Sequence, residues 1–279
     1  MKRTLIFILS IMLMFSLAAS VSAAESGKNI GTLPGTAETL ILDGKKEAAY
    51  KNALHINEMV SHDGKSTPLA KTDFYLLYDK DAIWVFCEVE DATLTTKAAD
   101  PKQPNYKVDS IEIMLDMTNK GENIADQTPL QCRLDHNNQV SGRLGQKGTS
   151  LFLRESEGGT VGFFDAAAVK TDKGFNAEFR IPFRTAPEKG GKIGINLCYN
   201  DWDKDDGTRI FLVSTPGVSS WNVDKFDYVT LGGITDPKPA SSAETSDPLT
   251  IVTICAFISG AAFTASKRKS RVPSAGRPR

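Results

Sequence analysis

The sequence predicts an all-β fold, a two-sheet antiparallel β-sandwich, carried between an N-terminal signal peptide and a C-terminal transmembrane helix. Three observations predict it. Short stretches of apolar–polar alternation recur along the chain, and turns divide them with almost no helical period between. Where a strand alternates, it shows one apolar face, as in a sheet that covers a core on one side. The long unbroken apolar runs stand at the two ends, outside the alternating region.

The ends set the organisation. Lys2 and Arg3 precede the apolar stretch Leu5–Leu17, and Val21-Ser22-Ala23 offers small residues at cleavage spacing. Residues 1–23 therefore read as an export signal. Residues 24–38 follow as a loose leader and residues 39–234 as the sandwich. A linker rich in Pro, Ser, Ala and Thr occupies residues 235–247. Residues 248–266 contain the run Leu249–Ala265, at the short limit of the ~17–25 residues that span a bilayer. The tail, residues 267–279, carries Lys267, Arg268, Lys269 and Arg271, and such a cluster stays cytoplasmic. The main domain is thus expected to be exported and held at the cell surface. Thr245-Ser246-Asp247, the apolar run and the basic tail also resemble Gram-positive sorting signals, without an LPxTG sequence. Membrane helix and cell-wall attachment both stand as modes of anchoring.

The formal net charge of −1 conceals an asymmetry. The signal, residues 1–23, and the tail hold two and six basic residues, which leaves 25 basic against all 34 acidic ones between them, a net charge near −9. That balance argues against nucleic acid and anionic membrane surfaces as partners of the domain. Cys87, Cys132 and Cys198 lie within alternating stretches and lack CxxC spacing, so they read as core residues rather than a disulfide framework or zinc site.

In order, Thr39–Leu42 reads as a short strand that enters an Asp43-Gly44 turn, and Lys45–Ala53 as a short helical turn. Asp73–Glu90 holds two strands around Lys80-Asp81. In the second, Ile83, Val85, Cys87 and Val89 share one face, and Trp84, Phe86 and Glu88 the other. Trp84 reads as structural. After the polar loop Ala92–Pro104 comes Asn105–Leu115, where Ile111, Ile113 and Leu115 oppose Ser110, Glu112 and Met114. In Leu130–Asp135, Gln131, Arg133 and Asp135 oppose the apolar side. Leu151–Arg154, Ala166–Thr171, Phe175–Ile181, Lys192–Asn200, Arg209–Ser214 and Tyr228–Leu231 complete the strands.

Catalytic patterns are poor. His55, His62 and His136 are scattered, with neither metal-ligand spacing nor a neighbouring nucleophile. A glycosidase needs two carboxyls ~5–9.5 Å apart, whereas Glu112 and Asp116 on one strand face are separated by ~13 Å. The domain is expected not to be an enzyme. The acidic loop Asp201–Gly207, DWDKDDG, suggests structural calcium, although its Gly stands one place late for an EF-hand and Leu212 occupies position twelve.

LDGKKEAAYKNA, DAIWVFCEVEDATL, NYKVDSIEIMLD, GFNAEFRIPF, KIGINLCYND and SSWNVDKFDYVTLGG, in this order, resemble carbohydrate-binding module family 9 and its DOMON-like relatives over roughly Leu40–Ile234. The resemblance implies a noncatalytic β-sandwich that holds an oligo- or polysaccharide between two aromatic rings. The first ring, three residues before the Asp of a W-x-x-D-S-V-E stretch, is here Tyr106, before Asp109-Ser110-Ile111-Glu112. The Glu that binds hydroxyls corresponds to Glu112. The Arg of a Q-F-R-V-N-like pattern corresponds to Arg133, within Gln131-Cys132-Arg133-Leu134-Asp135. The second ring corresponds to Trp221 in SSWNVDKF. Two departures are notable. Tyr replaces Trp at 106, and Gly217-Val218-Ser219 stands where the family has a side-chain amide. Calcium is common in the family, without a residue-by-residue match here.

Two other readings use the same fold. A haem-binding redox domain of the DOMON-like class would draw on Met114 and His136 as axial ligands. A surface adhesion or assembly domain would keep the sandwich without a sugar site.

Overall fold

Alternation becomes pairing wherever one strand's apolar row meets another's. The computed structural model describes residues 27–95, 105–148, 150–152, 159–160, 162–203, 207–218 and 221–235. The described strands begin with β1 (Asn29–Thr36), β2 (Leu54–Ile56), β3 (Val60–Ser61), β4 (Ala70–Tyr78), β5 (Ala82–Asp91), β6 (Ser110–Asp116) and β7 (Leu130–Asp135). They continue with β8 (Val140–Leu144), β9 (Ser150–Phe152), β10 (Gly159–Thr160), β11 (Asp165–Thr171), β12 (Gly174–Pro182), β13 (Lys192–Trp202), β14 (Arg209–Val213) and β15 (Asp227–Thr235).

One half of the ladder runs β10–β11–β12–β5–β4, with β2 also on β4. The other runs β15–β13–β6–β7–β8–β9, and β14 shares the edge of β13 with β15. Phe74, Leu76, Val85, Cys87, Phe175 and Phe179 of the first half share one buried cluster with Ile111, Ile113, Cys132, Leu197 and Tyr199 of the second. The two inner faces are therefore packed on each other, the arrangement of a β-sandwich. Fully burying each large apolar side chain contributes about 1.5–3 kcal/mol.

The outer side of β5 is also covered. Trp84 and Phe86 form a second cluster with Leu40, Ala49, Tyr50 and Leu77, capped by a 3-10 turn at Ala48–Asn52. Trp84 donates from Nε1 to Asp79 Oδ2 at 2.8 Å. This agrees with a structural role for that tryptophan.

Three expectations are corrected. The expected leader, residues 24–38, contains β1, which pairs in parallel with β15 and touches β4 at Gly35↔Tyr78. The sandwich is thus mixed rather than wholly antiparallel, and β1 links its two halves. Its Gly residues read as looseness, yet a Cβ on Gly35 would stand 2.8 Å from the Ile234 Cα. Glycine there permits close backbone approach. Thr39–Leu42 forms no ladder, and the segment's ordered strand lies earlier. Cys198 is fully buried, as expected, and lies opposite Glu112 on the face turned from the main cluster.

Among the described residues no helix is long and apolar enough to cross a membrane. The expected signal peptide, residues 1–23, and the apolar run Leu249–Ala265 lie outside the described residues.

Candidate functional site

On the face of β13, β6, β7 and β8 that is turned from the core, register decides the neighbours. Glu112 on β6 is flanked by Cys198 on β13 and Arg133 on β7, and Arg133 faces Ser141 on β8. One row over, Met114 lies between Asn196 and Gln131, and Gln131 faces Arg143. Residues paired across a ladder share a face, so the expected Glu112 and Arg133 are brought together.

They are bonded directly. Arg133 Nε donates to Glu112 Oε1 at 2.7 Å. Asn200 Nδ2 donates to the same oxygen at 3.0 Å, and Gln131 Nε2 donates to Oε2 at 3.0 Å. Glu112 is 3% exposed. Burial alone would raise its carboxyl, but the Arg133 charge and these donors outweigh it and hold the group below its usual range. With three donors engaged, the carboxylate orients Arg133 from beneath rather than standing open at the surface.

Asn200 and Arg209 extend the network. Arg209 donates from Nε to Asn200 Oδ1 at 3.0 Å, and its Nη2 donates to the same oxygen. Asn200 is fully buried and relays between Arg209 and Glu112. The sequence reading missed both residues. For Asn200 a signal was present in KIGINLCYND, where Asn196, Cys198 and Asn200 recur at every second position.

Tyr106 lies on a short 3-10 turn, Asn105–Lys107, just before β6. Trp202 Nε1 donates to its backbone oxygen at 3.0 Å and pins the turn. The guanidinium carbons of Arg133 and Arg209 stand 5.5 and 5.4 Å from the Tyr106 ring centroid. Trp221 has the corresponding relation with Arg143, at 5.2 Å. Both rings are partly exposed. The loop before Trp221 is seated by Met114, which is buried with Val218, Val223 and Phe226. Asn196 Nδ2 also donates to Val218 O at 3.4 Å.

These contacts bear on the haem reading. Met114 is spent on apolar packing, and the buried His136 has its Nε2 2.7 Å from the Thr95 carbonyl. Neither side chain is open to an iron without unpacking its surroundings.

A second constellation lies nearby in the chain. Asp91, Asp109 and Asp201 are all buried, with carboxylate oxygens within 4.8 Å of one another. Asp109 accepts from the backbone N–H groups of Trp202 and Thr95, each at 2.7 Å. Asp201 Oδ2 accepts from Leu69 and Ala70, while its Oδ1 is buried without a partner among the described residues. Burial, with the neighbouring carboxylates adding, pushes Asp109 up to about 7 and Asp201 up to about 6. Three oxygen donors with an orphaned buried atom fit a hard cation such as calcium. Of the loop Asp201–Gly207, Asp201 joins this cluster. The N–H of Gly207 donates to Asp203 O at 2.9 Å and closes a turn.

The outer face of the sandwich thus presents the Arg133–Glu112 pair beside Tyr106, and Arg143 against Trp221. Residues 41–232 match the family described as "Carbohydrate family 9 binding domain-like", and the chain belongs to that family. An endo-1,4-beta-xylanase C of Paenibacillus barcinonensis is 29% identical over 188 residues, 66% of this chain and 15% of that enzyme. The match thus spans a small part of the xylanase. Two solved structures of a family 9 carbohydrate-binding module from Caldicellulosiruptor kristjanssonii share the fold. The complex with cellotriose has a TM-score of 0.57 at 20% identity, covering 74% of this chain and 95% of the module. The complex with glucose has 0.58 at 21%, covering 76% and 100%.

Proposed function

We propose that this domain binds carbohydrate without catalysing a reaction on it, at the outer face of β6 and β7. The observation that carries the reading is the Arg133–Glu112 pair beneath Tyr106, within a chain of this family. The modules solved with cellotriose and glucose support it.

The chemistry follows from the side chains. Tyr106 and Trp221 offer apolar ring faces to sugar C–H groups. Arg133 spends Nε on Glu112, and its terminal nitrogens, without a bond among the described residues, would make charge-assisted bonds to hydroxyls. Glu112, Gln131 and Asn200 fix that guanidinium before the ligand arrives, which reduces the ordering cost of binding. The carboxylates of Asp91, Asp109 and Asp201 would hold a structural calcium ion, whose charge offsets a buried acidic cluster. Export and surface anchoring through residues 248–266, by membrane helix or wall attachment, would present the module to extracellular glycans.

Sedimentation of the chain with insoluble cellulose and xylan tests this reading. The wild type is expected in the pellet and the Trp221→Ala variant in the supernatant. Equal retention of both would overturn the ring clamp, and no retention on either polymer would remove the carbohydrate reading.

A further inference from the structure

Three guanidinium groups are gathered around the two rings, and among the described residues one carboxylate is paired with them. Arg133 is paired with Glu112. Among the described residues Arg209 bonds only the neutral amide of Asn200, and it stacks against Tyr106 and Phe211, 4.9 Å from the latter. Arg143 stacks on Trp221, and its Nε is buried without a partner among the described residues. Neither Arg143 nor Arg209 has an acidic side chain within ion-pair distance among those residues.

The three belong to one patch. Arg133 and Gln131 are two residues apart on β7, Arg143 lies opposite Gln131, and Asn200 ties Arg209 to Glu112. Among the described residues the surplus of positive charge is local, since the chain between signal and tail is acidic overall. Ring stacking attracts a cation through the ring quadrupole, but it does not neutralise the charge.

We propose that the site takes an acidic sugar, with the anionic substituent received by Arg209 or Arg143 while the ring packs on the aromatic faces. The inference rests on the carbohydrate-binding reading of the same face and specifies its ligand class. A planar carboxylate, as in a uronic acid, suits the guanidinium fork; a phosphate ester offers the same charge with a different shape.

The test is titration calorimetry of the full chain with glucose, glucuronic acid and glucose 6-phosphate at low and high salt. Glucuronic acid is expected to bind at least about tenfold tighter than glucose at low salt, with the ratio falling as salt rises. Glucose 6-phosphate binding as tightly as glucuronic acid would support recognition of the charge itself. In Arg143→Gln/Arg209→Gln the readout is the acidic-to-neutral affinity ratio within the variant, which should collapse towards one. Equal affinities in the wild type, or an unchanged ratio in the double variant, would overturn this inference and leave the carbohydrate reading standing. Failure of every sugar to bind would remove both.

Discussion

Arg133 and Glu112 are joined at 2.7 Å across β6 and β7, with side chains only 11% and 3% exposed. At that burial, loss of one partner leaves the other charged and unpaired. Glu112→Ala is therefore expected to destabilise the fold by about 3–5 kcal/mol. Glu112→Ala/Arg133→Met should cost less than the two single changes added together. Denaturant unfolding of the four proteins measures this, and strict additivity would contradict the pair's coupling.

Met114 supports Trp221 indirectly, through Val218, Val223 and Phe226. Met114→Ala is expected to cost about 2–5 kcal/mol by opening a cavity. It should also speed hydrogen exchange at the Val218 amide, which donates to Thr215 O. Unaltered exchange there would show that the loop is held by something else.

Tryptophans 84 and 221 should separate cleanly. Trp84 is 4% exposed and bonded to Asp79, so Trp84→Ala is expected to cost about 3–5 kcal/mol. Trp221 lies partly exposed in a loop. Trp221→Ala should cost under about 1 kcal/mol of stability, in the range of surface substitutions, while it removes sugar binding. Thermal unfolding and binding measured on the same samples would reveal any reversal of these roles.

The buried acids predict a pH dependence with a definite sign. Asp109 and Asp201 have folded values raised to about 7 and about 6. Each contributes most below the unfolded carboxylate value, and that stability is lost as pH rises through the folded value. With chelator present, the melting temperature should therefore receive a falling contribution from this cluster between pH about 4 and about 7. Calcium is expected to restore stability at neutral pH, and Asp109→Asn to weaken that rescue. Superimposable melting profiles with calcium and with chelator would contradict a cation at this cluster.

Much of the sandwich was legible because alternation reports burial directly. Ile111, Ile113 and Leu115 are fully buried, as their spacing predicted. β1 was not legible, since NIGTLPGT carries one deeply buried apolar side chain, Leu33, and its pairing depends on glycine contacts with β15. β8 was hidden similarly: Gly142 has no side chain to show periodicity, and a Cβ there would stand 2.6 Å from Phe163. In the site, Glu112 and Arg133 could be placed on outer faces from their own strands. The alternation of Asn196, Cys198 and Asn200 could place Asn200 on an outer face, but its bonds to Glu112 and Arg209 required the register of β13 against β6 and β14, which no single strand encodes.

The central claim is that the outer face of β6 and β7 binds carbohydrate through Arg133 and the flanking rings. Calorimetric titration of the chain with cellobiose and xylobiose, in parallel with Arg133→Gln and Trp221→Ala, tests it most directly. The account predicts saturable binding by the wild type and at least about a tenfold loss in each folded variant. Flat traces from folded wild-type protein, or full affinity in both variants, would contradict it.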